Sequence, residues 1–163
     1  MNRLRASLIG LMLLSLTSCG FTPLYAAPGV ASGLSTIAIS APQGRSGFLL
    51  HQSLGDAFAH DASAPTAYRL ALSYNEQKIP RGVRVDSVAN RYELVLTVGY
   101  ILTTASGTPA KTGKVQASVT YDSADQPYAS IAAEQDGQER AAAEAARQIQ
   151  IELATWMAGN KHT

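Results

Sequence analysis

Apolar and polar residues alternate along three successive stretches of the chain, at residues 68–74, 92–102 and 114–121. A period of two is typical of half-buried β-strands, and a shorter alternation at residues 34–40 predicts a fourth strand. The polar residues 75–85 are predicted to form a hairpin connection, and residues 104–109 a second turn. The last three strands are therefore expected to form an antiparallel meander.

The spacing of apolar residues changes to three and four in two other parts of the chain, which predicts two helices. The first helix is expected to begin at Gly44 or Ser46 and to end before Pro65. Its apolar face consists of Leu50, Leu54, Ala57 and Phe58. The second helix is predicted over residues 129–156, with an apolar stripe formed by Ala142, Ala146, Ile149, Leu153 and Trp156. The predicted order β-α-β-β-β-α indicates an α+β two-layer sandwich, a four-stranded mostly antiparallel sheet covered on one face by two helices.

The N-terminal residues have the layout of a bacterial lipoprotein signal. Arg3 and Arg5 precede an apolar run at residues 8–16, and two small residues, Thr17 and Ser18, stand directly before Cys19, which is the only cysteine. The run is too short to span a bilayer as a helix. We therefore predict a signal peptide at residues 1–18 and an acylated tether at residues 19–33. The α+β domain is predicted at residues 34–163. A plain secreted protein with an incidental cysteine is the alternative.

Lipidation would place a diacylglycerol and an N-acyl chain, such as palmitate, on Cys19, and two or more long chains hold a protein on a membrane almost permanently. Gly20 after the cysteine fits sorting to the outer membrane. Phe21, Leu24 and Tyr25 are large apolar residues for a tether. They are expected to contact the domain or a partner, or alternatively to lie at the lipid interface.

Composition and motifs argue against most other chemistries. The 13 Lys and Arg residues nearly balance the 12 Asp and Glu residues, which gives no basis for nucleic-acid binding. Gly107 to Lys114 resembles a phosphate-binding loop, but the glycine spacing is wrong and a strand follows it. Three histidines and one cysteine do not form a zinc motif. We expect no metal and no catalytic activity.

The segment Cys-Gly-Phe-Thr-Pro-Leu-Tyr at residues 19–25 resembles the opening of the LPS-assembly lipoprotein (LptE) family. The predicted order and lengths of the elements are similar as well. The resemblance implies an outer-membrane lipoprotein on the periplasmic side. Proteins of this family lie partly inside the β-barrel LPS translocon, LptD, where they plug the barrel, support its assembly and bind lipopolysaccharide.

Basic residues near the predicted loops are candidates for contacts with the phosphates of lipopolysaccharide. The candidates are Lys78, Arg81 and Arg84 in the first hairpin loop, Arg91 nearby, and Lys111 and Lys114 by the second loop. Alternatively, these charges only keep strand edges and turns soluble. A second class of function is an auxiliary lipoprotein of an envelope phospholipid transporter. A peptidoglycan-binding or hydrolytic lipoprotein is a weaker third class, because no cleft residues stand out.

Overall fold

A computed structural model of the chain describes residues 29–83, 89–123 and 126–160. Its elements are α1 (Val30–Ser35), β1 (Ile37–Ser40), α2 (Arg45–Phe58), β2 (Tyr68–Val83), β3 (Ala89–Thr104), β4 (Pro109–Asp122) and α3 (Pro127–Asn160). The predicted signal peptide, Cys19 and Arg84 lie outside the described residues. None of the described helices is both long enough and apolar enough to cross a membrane.

The four strands form one open sheet in the order β1-β2-β3-β4, which confirms the predicted α+β fold. β2, β3 and β4 are antiparallel neighbours, as the alternating pattern predicts. β1 is parallel to β2, because α2 carries the chain back along the sheet between the two strands. The sheet is therefore mixed, with one parallel pair at its edge.

Both long helices cover the same face of the sheet. The helix-facing residues of β3 are buried, namely Leu94, Leu96, Val98, Tyr100 and Leu102. Leu50, Leu54 and Phe58 of α2 pack against this layer. The predicted stripe of α3 is confirmed from Ala142 to Leu153, and Trp156 is half-buried edge-on to Tyr68 at 5.9 Å between ring centroids. Four alanines of α3 (Ala141, Ala142, Ala145 and Ala146) are buried in the core, so no long side chain separates this part of the helix from the layer beneath it.

Helix α1 was not predicted from the sequence. Val30 and Leu34 are four residues apart and lie on one face of the helix, where both are almost completely buried. Gly33 packs against the side chain of Met157 near the end of α3. Residues 30–33, which the sequence assigned to the tether, therefore belong to the folded domain. The helix is so short that two apolar positions among small residues gave no periodic signal.

The strands are longer than the sequence predicted. β2 continues to Val83, so Lys78 and Arg81 lie in a strand and the predicted hairpin loop at residues 75–85 is wrong. Lys78 pairs in register with Leu94 of β3. β4 likewise begins at Pro109, which places Lys111 and Lys114 in a strand rather than a loop. In the extension of β2, the polar residues Glu76 and Lys78 pair with polar groups of the helices, as described below.

The length of α3 defines two ends of the domain. Its 34 residues span about 50 Å. At its C-terminal end α3 packs against α1, and at its N-terminal end Gly137 lies against Tyr121 near the end of β4. We call the end of the domain at the C-terminus of α3 the α1 end. We call the opposite end, where β2 ends and β3 begins, the hairpin end. Because α1 begins the described domain, the predicted lipid anchor at Cys19 connects to the α1 end.

Candidate binding surfaces

The side of the sheet that faces away from α2 and α3 is a broad polar surface, which we call the open face. Its central residues carry mostly hydroxyl and amide groups: Ser73, Asn75 and Gln77 on β2, Val95, Thr97 and Gly99 on β3, and Gln116, Ser118 and Thr120 on β4. They are exposed or half-buried. In the described parts of the chain, no helix packs on this face. The open face is therefore the largest regular surface available to a partner.

Ion pairs neutralise the cations at the hairpin end of the open face. Arg81 Nε donates to Glu93 Oε2 at 2.6 Å, and Arg91 Nε donates to Asp122 Oδ1 at 2.7 Å. The hydroxyl of Ser118 also donates to Glu93. The hydrogen bonds from Ser118 and then Arg81 lower the pKa of Glu93, because they stabilise its charged form. Arg81 and Arg91 therefore already have acidic partners.

Lys78 lies on the opposite face of the sheet from Arg81. Its Nζ is 2.6 Å from Glu134 Oε2 of α3 and 4.9 Å from the centre of the Tyr92 ring. The hydrogen bond to Glu134 raises the pKa of Lys78. Tyr92 stacks on Tyr121 with 5.7 Å between ring centroids. Lys78 thus links α3 to the sheet, and it does not form a cluster with Arg81.

The two candidate lysines of β4 differ from the other basic residues. Among the described residues, neither Lys111 nor Lys114 has a carboxylate within ion-pair distance, and the same is true of Arg69 on β2. Arg69 and Lys114 are exposed on the open face, opposite Thr103 and Gly99 of β3. Arg69 was not among the candidates predicted from the sequence, although the alternation of β2 places it on the polar side. The unpaired cations therefore lie towards the α1 end.

Three further hydrogen bonds hold the helices on the sheet. The hydroxyl of Tyr100 donates to Glu152 of α3, and burial raises the pKa of Tyr100. Glu76 of β2 accepts hydrogen bonds from Ser46 of α2 and from Gln138 of α3, the latter at 2.9 Å. These contacts explain why polar residues occur on the helix-facing side of the strands.

The described residues contain no group of three or more His, Cys, Asp and Glu residues that could hold a metal ion. The polar contacts above join carboxylates to hydroxyl, amide and cationic groups in pairs. Each of these groups has a partner that anchors one element to another. The arrangement is suited to holding the helices on the sheet and leaves the open face for binding.

Solved structures of bacterial lipoproteins share this fold. The chain is 59% identical to a protein described as a lipoprotein from Caulobacter crescentus CB15, with a TM-score of 0.72 over 81% of this chain and 97% of that chain. Rare lipoprotein B from Shewanella oneidensis is 14% identical, with a TM-score of 0.59 over 77% of this chain and 98% of that one. Lipoprotein B from Nitrosomonas europaea is 16% identical, with a TM-score of 0.56 over 77% and 86%. The last two similarities concern the fold alone.

The family follows from the sequence. A profile of the LptE lipopolysaccharide-assembly family matches residues 34–153, so the chain belongs to this family. The matched residues run from α1 into α3 and do not include residues 19–25, on which the resemblance was first noted. Two separate parts of the chain therefore agree on the same family, and the family associates the protein with lipopolysaccharide assembly. No curated protein matched the chain.

Proposed function

We propose that this protein is an outer-membrane lipoprotein that plugs the LptD β-barrel, helps the barrel to assemble, and binds lipopolysaccharide during its insertion into the outer leaflet. In this proposal, Cys19 carries a diacylglycerol and an N-acyl chain and holds the domain on the periplasmic side of the membrane. The protein acts by binding and has no catalytic role. Family membership and the sequence at residues 1–25 support the proposal.

The observation that carries the proposal is the chemistry of the open face. The interior of a large membrane β-barrel is polar and wet, so a protein that fills it needs a surface that tolerates water. The central residues of the open face are short and uncharged, and most carry hydroxyl or amide groups. Such groups hydrogen-bond equally well to water and to a polar wall. We therefore propose that the open face contacts the barrel lumen.

Site-specific photo-crosslinking tests this contact. A photoreactive amino acid at Ser73 or Gln116, both exposed on the open face, is expected to crosslink to the barrel in intact cells. The matched control is the same amino acid at Ala143, which is exposed on α3. We expect the open-face positions to give several times more barrel adduct than Ala143. Equal yields, or adducts mainly from Ala143, would contradict the assignment of this face.

The unpaired cations at the α1 end are our preferred contacts for the phosphates of lipopolysaccharide. Lys114 on the open face and Lys111 on the helix-facing side of the same strand can each bind phosphate without first breaking an ion pair. Lys78, Arg81 and Arg91 must each leave a carboxylate. We expect the double variant Lys111→Gln/Lys114→Gln to bind purified lipopolysaccharide about tenfold more weakly. The control Lys78→Gln/Arg81→Gln is expected to change the affinity less than threefold. If a titration showed the larger loss of affinity in the Lys78→Gln/Arg81→Gln variant, the site would lie at the hairpin end.

Affinity purification separates the proposal from the alternative functions. A barrel protein recovered in nearly equal amounts with the tagged lipoprotein supports the proposal. Recovery of inner-membrane transporter subunits would instead indicate an auxiliary role in phospholipid transport, and recovery of murein fragments would indicate peptidoglycan binding. Either of these results, without the barrel, would overturn the proposed function.

A further inference from the structure

Phe48 is a large apolar side chain that the folded domain leaves in solvent. It lies in the first turns of α2 and 66% of its surface is exposed. On one side of it is a groove of about 290 Å³, lined by Ala41, Pro42, Gln43, Gly44, Gly47, Phe48 and His51. The groove has small and apolar walls and contains no charged carboxylate or guanidinium group. It is suited to an aromatic or aliphatic side chain.

We propose that the tether of this same chain fills this groove, with Phe21 against Phe48 and with Leu24 and Tyr25 packed on the surface between the groove and α1. Burial of apolar surface drives the contact, and each aromatic side chain offers about 150–250 Å² for it. The groove and the tether have matching chemistry, because Phe21, Leu24 and Tyr25 are large and mainly apolar and the groove walls are small and mostly uncharged.

The length of the tether fits this position. α2 ends beside α1, since the amide of Asp61 donates to the carbonyl of Ser35 at 3.1 Å. From this end of α2 back to Phe48 is about 15–20 Å at 1.5 Å per residue, and α1 adds at most about 9 Å between Gly29 and Ser35. The eight Cα-to-Cα steps from Phe21 to Gly29 span at most about 28 Å when the chain is extended. A nearly extended tether can therefore bring Phe21 from the start of α1 to the groove.

Three other exposed apolar side chains, Tyr128, Ile131 and Ile101, are poorer sites for the tether. Tyr128 and Ile131 are 85% and 56% exposed, but they lie at the hairpin end. They are about 40 Å along α3 from Met157, which packs against α1. This distance exceeds the reach of the tether. Ile101 lies on the open face among polar residues, and it does not line the groove beside Phe48.

Docking of the tether changes how the domain is held at the membrane. Only Cys19 and Gly20 then separate the acyl chains from the folded body, in place of a free segment of ten residues. The α2 edge of the domain is held close to the lipid surface, and the orientation of the sheet relative to the membrane is restricted. This inference does not depend on the identity of the barrel partner or on lipopolysaccharide binding.

A spin label on Cys19 tests the proposal. Cys19 is the only cysteine, so residues 19–163 produced without the signal peptide carry a single thiol for a nitroxide. In the docked state the label is about 7 Å of chain from Phe21. We expect the amide signals of Gly47, Phe48 and His51 to lose at least twice as much intensity as in the variant Phe21→Ser/Leu24→Ser/Tyr25→Ser. Phe48→Ser is expected to reduce the broadening in the same way.

Two controls make the result decisive. The variant Tyr128→Ser/Ile131→Ser also removes exposed apolar side chains, and it is expected to leave the broadening at the groove unchanged. The second control is a mixture of two proteins, one that carries the spin label at natural nitrogen abundance and one that carries ¹⁵N but no spin label. This mixture is expected to show no broadening. Broadening in the mixture would mean that a second copy occupies the groove, and broadening that is uniform or centred elsewhere would mean that the tether does not dock there. Each of these outcomes overturns the proposal.

Discussion

Gly47→Ala is expected to destabilise the domain by about 3 kcal/mol. Gly47 is buried in α2, and a Cβ atom added there meets the backbone carbonyl oxygen of Pro42, with the carbonyl carbon at 3.0 Å and Tyr74 Cε1 at 3.3 Å. A backbone group cannot rotate away as a flexible side chain can. The variant therefore has to push the start of α2 away from the loop at residues 41–44. Urea unfolding followed by circular dichroism measures the loss.

Gly55→Ala is the matched control in the same helix. A Cβ atom at Gly55 meets nothing within 4 Å, and alanine has a higher helix propensity than glycine. We expect this variant to stabilise the domain by about 0.5–1 kcal/mol. The two substitutions are chemically identical, so opposite signs isolate the contact with Pro42. Changes of equal sign and size would show that the packing at Gly47 is looser than described.

Cys19→Ala is expected to abolish lipidation and leave the uncleaved precursor at the inner membrane. Without the thiol no acyl chain can be attached, and the anchoring energy of about 0.8 kcal/mol per buried methylene is lost. Fractionation of the membranes and the mass of the recovered chain measure the outcome, with retention of residues 1–18 as the expected sign. Labelling with palmitate is expected to fall to background.

Ser18→Ala is the control for this experiment, because it keeps a small residue before the cysteine. We expect the control to be processed and labelled as the unaltered protein is. A cleaved and outer-membrane-located Cys19→Ala protein would show that another group anchors the chain. If the unaltered protein, with Cys19 in place, took up no palmitate, the lipoprotein mechanism would be excluded.

The elements that the sequence predicted well are those in which one face is apolar along its whole length. β3 buries every second residue from Leu94 to Leu102, and α3 buries its alanine and aliphatic stripe, so their periods are visible in the sequence. The second half of β2 has no such signal, because Glu76 and Lys78 occupy helix-facing positions. Their partners are on other elements, and no local pattern reveals them. Polar pairing across layers therefore hid the length of this strand.

The candidate site shows a similar division between what is local and what is not. The sequence shows which residues are basic, but it does not reveal which of them have acidic partners. Arg81 pairs with Glu93 and Lys78 pairs with Glu134, and these contacts depend on register and helix placement. Arg69 was overlooked because it lies within a strand rather than beside a predicted turn. The distinction between paired and unpaired cations required the three-dimensional structure.

The buried alanines of α3 also limit the thickness of the domain. Helices approach their neighbours more closely when the residues at the contact are small, so Ala141, Ala142, Ala145 and Ala146 let the helix layer lie close to the sheet. A body of this kind has a smaller cross-section than one built on leucine at the same positions. For the proposed place of the domain inside a barrel, the thickness of the domain decides which openings it fits, and these four small side chains reduce that thickness.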